Sequence, residues 1–216
     1  MQTAHTQFSA NIKYVRELDI LYHFLKDEQK LPNDLSDLLR AEIVYVVSAL
    51  DKLIHELVRI GMIEIFNGNR PKTPTFEGFT ISAKTLGKIK EMIIKKAENS
   101  NFVPQTPDEM PEYWFEQQIV LTHKKEAFQA PDKIKNALSL IWSEEYKWQK
   151  IATLLSTNQK DLQTTLNEII TRRNQIVHEA DINLQTGLRN EIIDTDVTYS
   201  VDFIEKLGTA IYNLVK

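Results

Sequence analysis

Three polar residues near the end of the chain, Arg173, Asn174 and His178, stand within the run RRNQIVHEAD from Arg172 to Asp181. A guanidinium stays charged at any ordinary pH and matches phosphoryl oxygens in shape. An imidazole gains and loses protons near neutrality. Together they suit phosphodiester transfer in RNA: the 2′-hydroxyl attacks the adjacent phosphorus, the imidazole moves protons, and the guanidinium stabilises the charge that develops on the phosphoryl oxygens. Such chemistry needs no metal. The sequence has no HExxH pattern and no paired carboxylates spaced for a divalent ion, and no cofactor is expected.

The spacing divides the three residues. Asn174 and His178 are i, i+4, so on a regular helix the amide can fix the tautomer and orientation of the imidazole. Arg173 and His178 are five apart, roughly 140° around an ideal helix, and do not converge on one phosphate. Either the helix breaks near His178 or a second chain supplies the partner, as a two-fold dimer would. Arg173 also falls in the middle of the apolar stripe Leu162, Leu166, Ile169 and Ile176. An arginine there must snorkel, pair with a buried acid, or face a cleft that receives an anion. Asp51 and the acids near it are possible partners.

The elements that must position these residues read as helices. The first follows Ser9, a good N-cap, with Tyr14, Leu18, Leu21 and Leu25 as its apolar stripe. A longer one opens after Asn33 or Asp34, is apolar on nearly all sides from Leu39 to Val58, and so should lie at the centre; Gly61 is a plausible terminator. From Asn67 to Pro111 the texture changes to loops rich in Asn, Gly and Pro around a basic helix at Ile81 to Ala97, which reads as an insertion. Helices follow at Glu112 to Phe128, around Ile134, Leu138 and Ile141, at about Lys160 to Val177, and at about Tyr199 to Val215.

The composition is that of a globular protein: 42% apolar, 26% charged, a formal net charge of −4 and no cysteine. Absence of cysteine excludes disulfides, thiolate metal sites and a cysteine nucleophile. No apolar run approaches a membrane span, and Met1 to Ala10 lacks the pattern of a secretory signal, so a cytoplasmic address is expected. The acidic balance argues against a protein that coats nucleic acid nonspecifically. It leaves room for a local basic site, and between Phe66 and Glu98 seven basic residues face three acidic ones. That region suggests an alternative, a winged-helix DNA-binding module over Ile43 to Met92 with HELVRIGMIEIFNG as recognition helix and first strand. The supposed recognition helix is too apolar for a groove.

RRNQIVHEAD is similar to the R-polar-x3-H signature of HEPN domains, and its flanks resemble the RiboL-PSP-HEPN subfamily. LLRAEIVYVVSALDKLIHEL from Leu38 to Leu57, FQAPDKIKNAL from Phe128 to Leu138, Trp148 and the closing helix add to the match. The resemblance implies an all-α HEPN-type helical bundle, one domain over residues 1–216 with an insertion at about 67–111, forming a two-fold dimer. It implies metal-independent RNA cleavage to 2′,3′-cyclic phosphate and 5′-hydroxyl ends, with toxin or phage-defence biology and an antitoxin or defence-system partner. Arg173 would be the phosphate-stabilising cation, Asn174 the polar helper and His178 the catalytic imidazole. Where members silenced by a nucleotidyltransferase carry tyrosine, two residues after the histidine, this chain has Ala180. Arg172, Arg40 and Asp51 are candidates for contacting the RNA, against the plainer reading of buried ion pairs. A catalytically silent HEPN scaffold is the remaining alternative. His5, His23 and His123 lack companions at metal-ligand spacing, and Trp114, Trp142 and Trp148 read as core residues.

Overall fold

A helix that is apolar on most of its circumference has to be enclosed, and α2 (Ser36–Phe66) is. In the computed structural model, which describes residues 1–99 and 101–216, α2 is packed by α1, α5, α6, α8 and α9. Val46, Val47, Leu50, Leu53, Ile54, Leu57, Val58 and Met62 along it are essentially inaccessible. Each buried aliphatic side chain stabilises by roughly 1.5–3 kcal/mol, against about 0–1 kcal/mol for an exposed ion pair. The packing along α2 therefore outweighs the surface charges in fixing the fold.

The chain begins with α1 (Gln2–His23), extended by a π turn at Phe24–Glu28. It runs antiparallel to α2: Met1 lies by Gly61, while Tyr22 shares a cluster with Leu39 and Ile43. After α2 come α3 (Pro74–Glu77) and α4 (Ala83–Glu98), then α5 (Pro111–His123), α6 (Pro131–Ser139), α7 (Lys147–Leu154), α8 (Gln159–His178) and α9 (Asp194–Val215). Thr73, Ser82 and Asn158 cap the N-termini of α3, α4 and α8 with side-chain oxygens. Pro111 and Pro131 open α5 and α6, where a missing N–H costs nothing. Among the described residues there is no strand, only an isolated bridge between Ile182 and Arg189. No helix among them is long and apolar enough to cross a membrane.

Several expectations change. Helix α1 does not wait for Ser9, because Ala4 and Phe8 lie on the same buried face as Ile12 and Val15 and draw the first turns into the bundle. The stripe expected to enter the core does not: Tyr14 is 61% and Leu21 41% exposed. Gly61 does not end α2. A Cβ there would sit 2.6 Å from Ile141 Cγ2, so the glycine serves close packing and the helix continues through buried Met62 and Ile65 to Phe66. That continuation removes the winged-helix reading, since the supposed first strand is helical.

The described segments between α2 and α5 pack onto the bundle. Phe76 and Phe79 stand edge-on to Phe115 of α5, Ile89 of α4 joins the main core, and Arg70 donates to the carbonyl oxygen of Val215 at 2.7 Å.

Two features of the α1 packing can be tested. Gly208 of α9 faces the Phe8 ring so closely that a Cβ would lie 2.5 Å from Cζ. Gly208→Ala is expected to destabilise by about 1–3 kcal/mol through overpacking, read as a lower urea midpoint at unchanged slope. Glu42, 1% exposed, faces α1. Burial, with the Asp19 carboxylate adding to it, pushes its carboxyl up to about 8, and its Oε1 has no hydrogen-bond partner among the described residues. A folded value above the unfolded 4.5 means that folding takes up a proton. Stability should therefore fall as pH rises from about 4.5 to about 8 and level off beyond. Glu42→Gln is expected to remove most of that slope and to melt higher than the parent at pH 8.

Candidate active site

The motif lies on the last two turns of α8. Asn158 starts this helix by accepting from Asp161 N at 2.9 Å, and Leu162, Leu166, Ile169 and Ile170 anchor it in the core. Ile176 is only half-buried and packs into a smaller cluster with Tyr22, Leu39, Ile43 and Val197. The final turns thus rest on the N-terminal part of α2 and the start of α9.

Helix α8 stays α-helical through His178 and does not break before it. Arg173 and His178 consequently point in different directions, and one chain alone does not bring them together. Arg173 is half-buried, and its Nε is enclosed with no hydrogen-bond partner among the described residues. Its Nη1 donates to Asn174 Oδ1 at 3.0 Å, so the amide turns to the guanidinium where an interaction with His178 was expected. His178 is exposed at the helix end.

The next residues hold the end of α8 in place. Glu179 N and Asp181 N both donate to Gln175 O, at 3.1 and 3.0 Å, closing the helix as Ala180 and Asp181 enter the left-handed region with φ of 51° and 58°. Such φ values are costly for residues with a Cβ. Here the turn delivers a carboxylate to two arginines. Asp181 is wholly buried. Arg172 grips both its oxygens, with Nη2 to Oδ2 at 2.9 Å, and Arg40 Nε donates to Oδ2 at 2.6 Å. Asn190 Nδ2 donates to Oδ1 at 3.1 Å. Both arginines donate further: Arg40 to Ser36 Oγ and Asn190 O at 2.6 and 2.7 Å, and Arg172 to Glu191 O at 3.1 Å. Burial alone would push the Asp181 carboxyl up, but hydrogen bonds from Asn190, Arg40 and Arg172 outweigh it and hold the group below its usual range.

The candidate RNA-contacting residues are thus placed in two regions. Arg172 and Arg40 meet, but around Asp181, and both guanidinium groups are committed to it. Asp51 lies elsewhere, eleven residues or roughly 16 Å along α2 from Arg40, where Oδ1 accepts from Phe128 N at 2.5 Å. It makes no pair with Arg173 among the described residues. His55, one turn on, is 3.8 Å from Asp51 and packs on Phe128, as does His123. Burial, with His55 nearby, lowers the His123 pKa. Among the described residues no group of three or more His, Asp or Glu side chains is arranged to hold a metal ion. Of the three arginines around the motif, Arg173 alone meets no carboxylate among the described residues.

A family model described as RiboL-PSP-HEPN matches residues 9–216. The chain belongs to the RiboL-PSP-HEPN family. No curated protein and no solved structure matches it. In this RiboL-PSP-HEPN chain sequence reasoning missed Asp181, although the residue stands within the motif run. The available signal was an Asp just past a helix end, a type that tolerates left-handed backbone, close to two adjacent arginines of which one needed an acid.

Asp181→Asn would leave Arg40 buried without its counter-charge. The expected loss is about 3–5 kcal/mol, with faster amide exchange over residues 182–193. Because the folded carboxyl titrates below its unfolded value, the wild-type contribution is complete above about pH 4 and disappears as pH falls through the folded value. The difference in melting temperature between wild type and variant should therefore be largest at neutral pH and shrink in acid.

Proposed function

We propose that the chain is a metal-independent endoribonuclease of the HEPN superfamily, acting as a homodimer in a toxin or phage-defence role under the restraint of an antitoxin or system partner. The observation that carries this reading is the division of labour among the arginines. Asp181 engages Arg40 and Arg172, while Arg173, on the same helix as the exposed imidazole of His178 but turned away from it, has an enclosed Nε with no hydrogen-bond partner among the described residues. An enclosed N–H without an acceptor is costly. An RNA phosphate would supply the missing anion.

In the proposed reaction His178 takes the proton from the 2′-hydroxyl or delivers one to the leaving 5′-oxygen, and Arg173 stabilises the charge on the phosphoryl oxygens. The products are a 2′,3′-cyclic phosphate and a 5′-hydroxyl. Asn174 orients Arg173 within one chain. Because α8 is unbroken, Arg173 and His178 act on one phosphate only if the two residues come from different copies, which two-fold pairing of α8 ends permits. The orientation of Asn174 towards Arg173 favours, as a second reading, a silent scaffold that binds a nucleotide phosphate without cleaving RNA.

Purified protein is expected to cut single-stranded RNA in excess EDTA, leaving cyclic phosphate ends. His178→Ala and Arg173→Ala should each reduce the rate by about 10²–10⁴ while keeping the melting temperature, since neither residue holds the Asp181 cluster. Phosphate or nucleotide binding with no cleavage in the wild type would select the scaffold instead. Cleavage by both variants at the wild-type rate would place the chemistry elsewhere.

A further inference from the structure

The last turn of α1 is held to the bundle by very little. Tyr22 is buried, and from His23 to Leu38 no residue is. The helix widens there into the π turn at Phe24–Glu28, and Lys30 follows with φ of 50°. Tyr22 packs with Leu39 and Ile43 of α2 and Val197 of α9, in a cluster that also receives Ile176 of α8. Next to this anchor lie two carboxyl groups, each with an enclosed oxygen that has no hydrogen-bond partner among the described residues: Oε1 of Glu42, between Leu39 and Ile43 in sequence, and Oδ1 of Asp19, one turn before Tyr22. His23 Nε2 is 3.5 Å from that Asp19 oxygen, and its Nδ1 meets Asp27 at 2.9 Å.

We infer that the end of α1, from Asp19 to Lys30, is a pH-operated latch on the motif-bearing end of α8, closed while Glu42 holds a proton and released when it ionises. Two enclosed carboxyl groups beside each other do not both ionise while the contact stays closed. An ionised Glu42 would stand unpaired against the Asp19 carboxylate, and releasing the Tyr22 turn admits water at the loss of one buried side chain. Release uncovers Ile176, which lies between Arg173 and His178, and Leu39, the neighbour of Arg40 in the Asp181 cluster. The closed carboxyl titrates at about 8 against 4.5 in water, so release becomes easier as pH rises through that interval and no easier above it. His23 acts in the same direction to a smaller degree, since its hydrogen bond to Asp27, with the charges of Asp19 and Asp194, raises its pKa. Of the other charged groups nearby, Lys26 lies 3.6 Å from Asp194 of α9, and Arg40 is turned to Asp181. The latch acts on the α8 end whether that end cleaves RNA or only binds a phosphate.

Amide hydrogen exchange read by mass spectrometry from pH 5 to pH 9, corrected for the intrinsic chemical rate, tests the latch on the wild type, Glu42→Gln and Asp19→Asn. In the wild type, residues 19–30 and 173–181 are expected to open together, more often than residues 204–211 in the core part of α9. Their opening should increase by up to about tenfold per pH unit below pH 8 and level off above it. Glu42→Gln, which cannot ionise, should flatten most of the rise in both segments. Asp19→Asn, which removes the facing charge, should make the rise level off at a lower pH. No rise in the wild type, or a rise that Glu42→Gln leaves unchanged, overturns the latch. A rise confined to residues 19–30 overturns its hold on α8. Equal opening of residues 204–211 would report unfolding of the whole chain and overturns it as well.

Discussion

The end of α8 depends on one carboxylate. Asp181 is removed from water, and a lone charge there would cost several kcal/mol; two guanidinium groups and an amide replace the lost solvation. Through those contacts the end of α8, the first turns of α2 and the loop before α9 become one unit. Two successive left-handed residues are tolerated because the turn they make is the one that reaches the arginines. The same cluster decides which arginine remains available. With Arg40 and Arg172 committed, Arg173 is left half-buried in an apolar stripe, its enclosed Nε without a hydrogen-bond partner among the described residues.

Around that unit the bundle is held by close contact more than by charge. Helix α2 admits neighbours on most sides, and at Gly61 and Gly208 the approach is too tight for any side chain. Where its circumference is left uncovered, beside α1, the surface is apolar and uncharged. A buried glutamate with a strongly raised pKa lies in the α1–α2 contact, so the packing that shapes this face also responds to pH.

Much of this was legible in the sequence where a single periodicity carried the information. The centrality of α2, the extent of α8 and the placement of Arg173 within an apolar stripe follow from counting residues per turn. Other features were not legible because they depend on which neighbour arrives. The α1 stripe Tyr14, Leu18, Leu21 and Leu25 has the right spacing for a core, but α2 and α9 meet the face of Phe8, Ile12 and Val15 instead. Gly61 carries the chemical signature of a helix end and is a packing contact, a distinction set by Ile141, eighty residues away. Asp51 and Asp181 are both plausible partners for an arginine, and only the turn after α8 decides between them. The Arg173 to His178 offset was visible from spacing alone, and the unbroken helix removes one of its two resolutions.

The proposed chemistry has Arg173 and His178 acting together although no single chain unites them. It is tested most directly by coexpressing Arg173→Ala and His178→Ala chains under two affinity tags and assaying the doubly purified heterodimer on RNA. Each variant by itself should be inactive. The heterodimer is expected to regain cleavage, because one of its two sites draws an intact Arg173 from one chain and an intact His178 from the other. A heterodimer as inactive as its parents would contradict it.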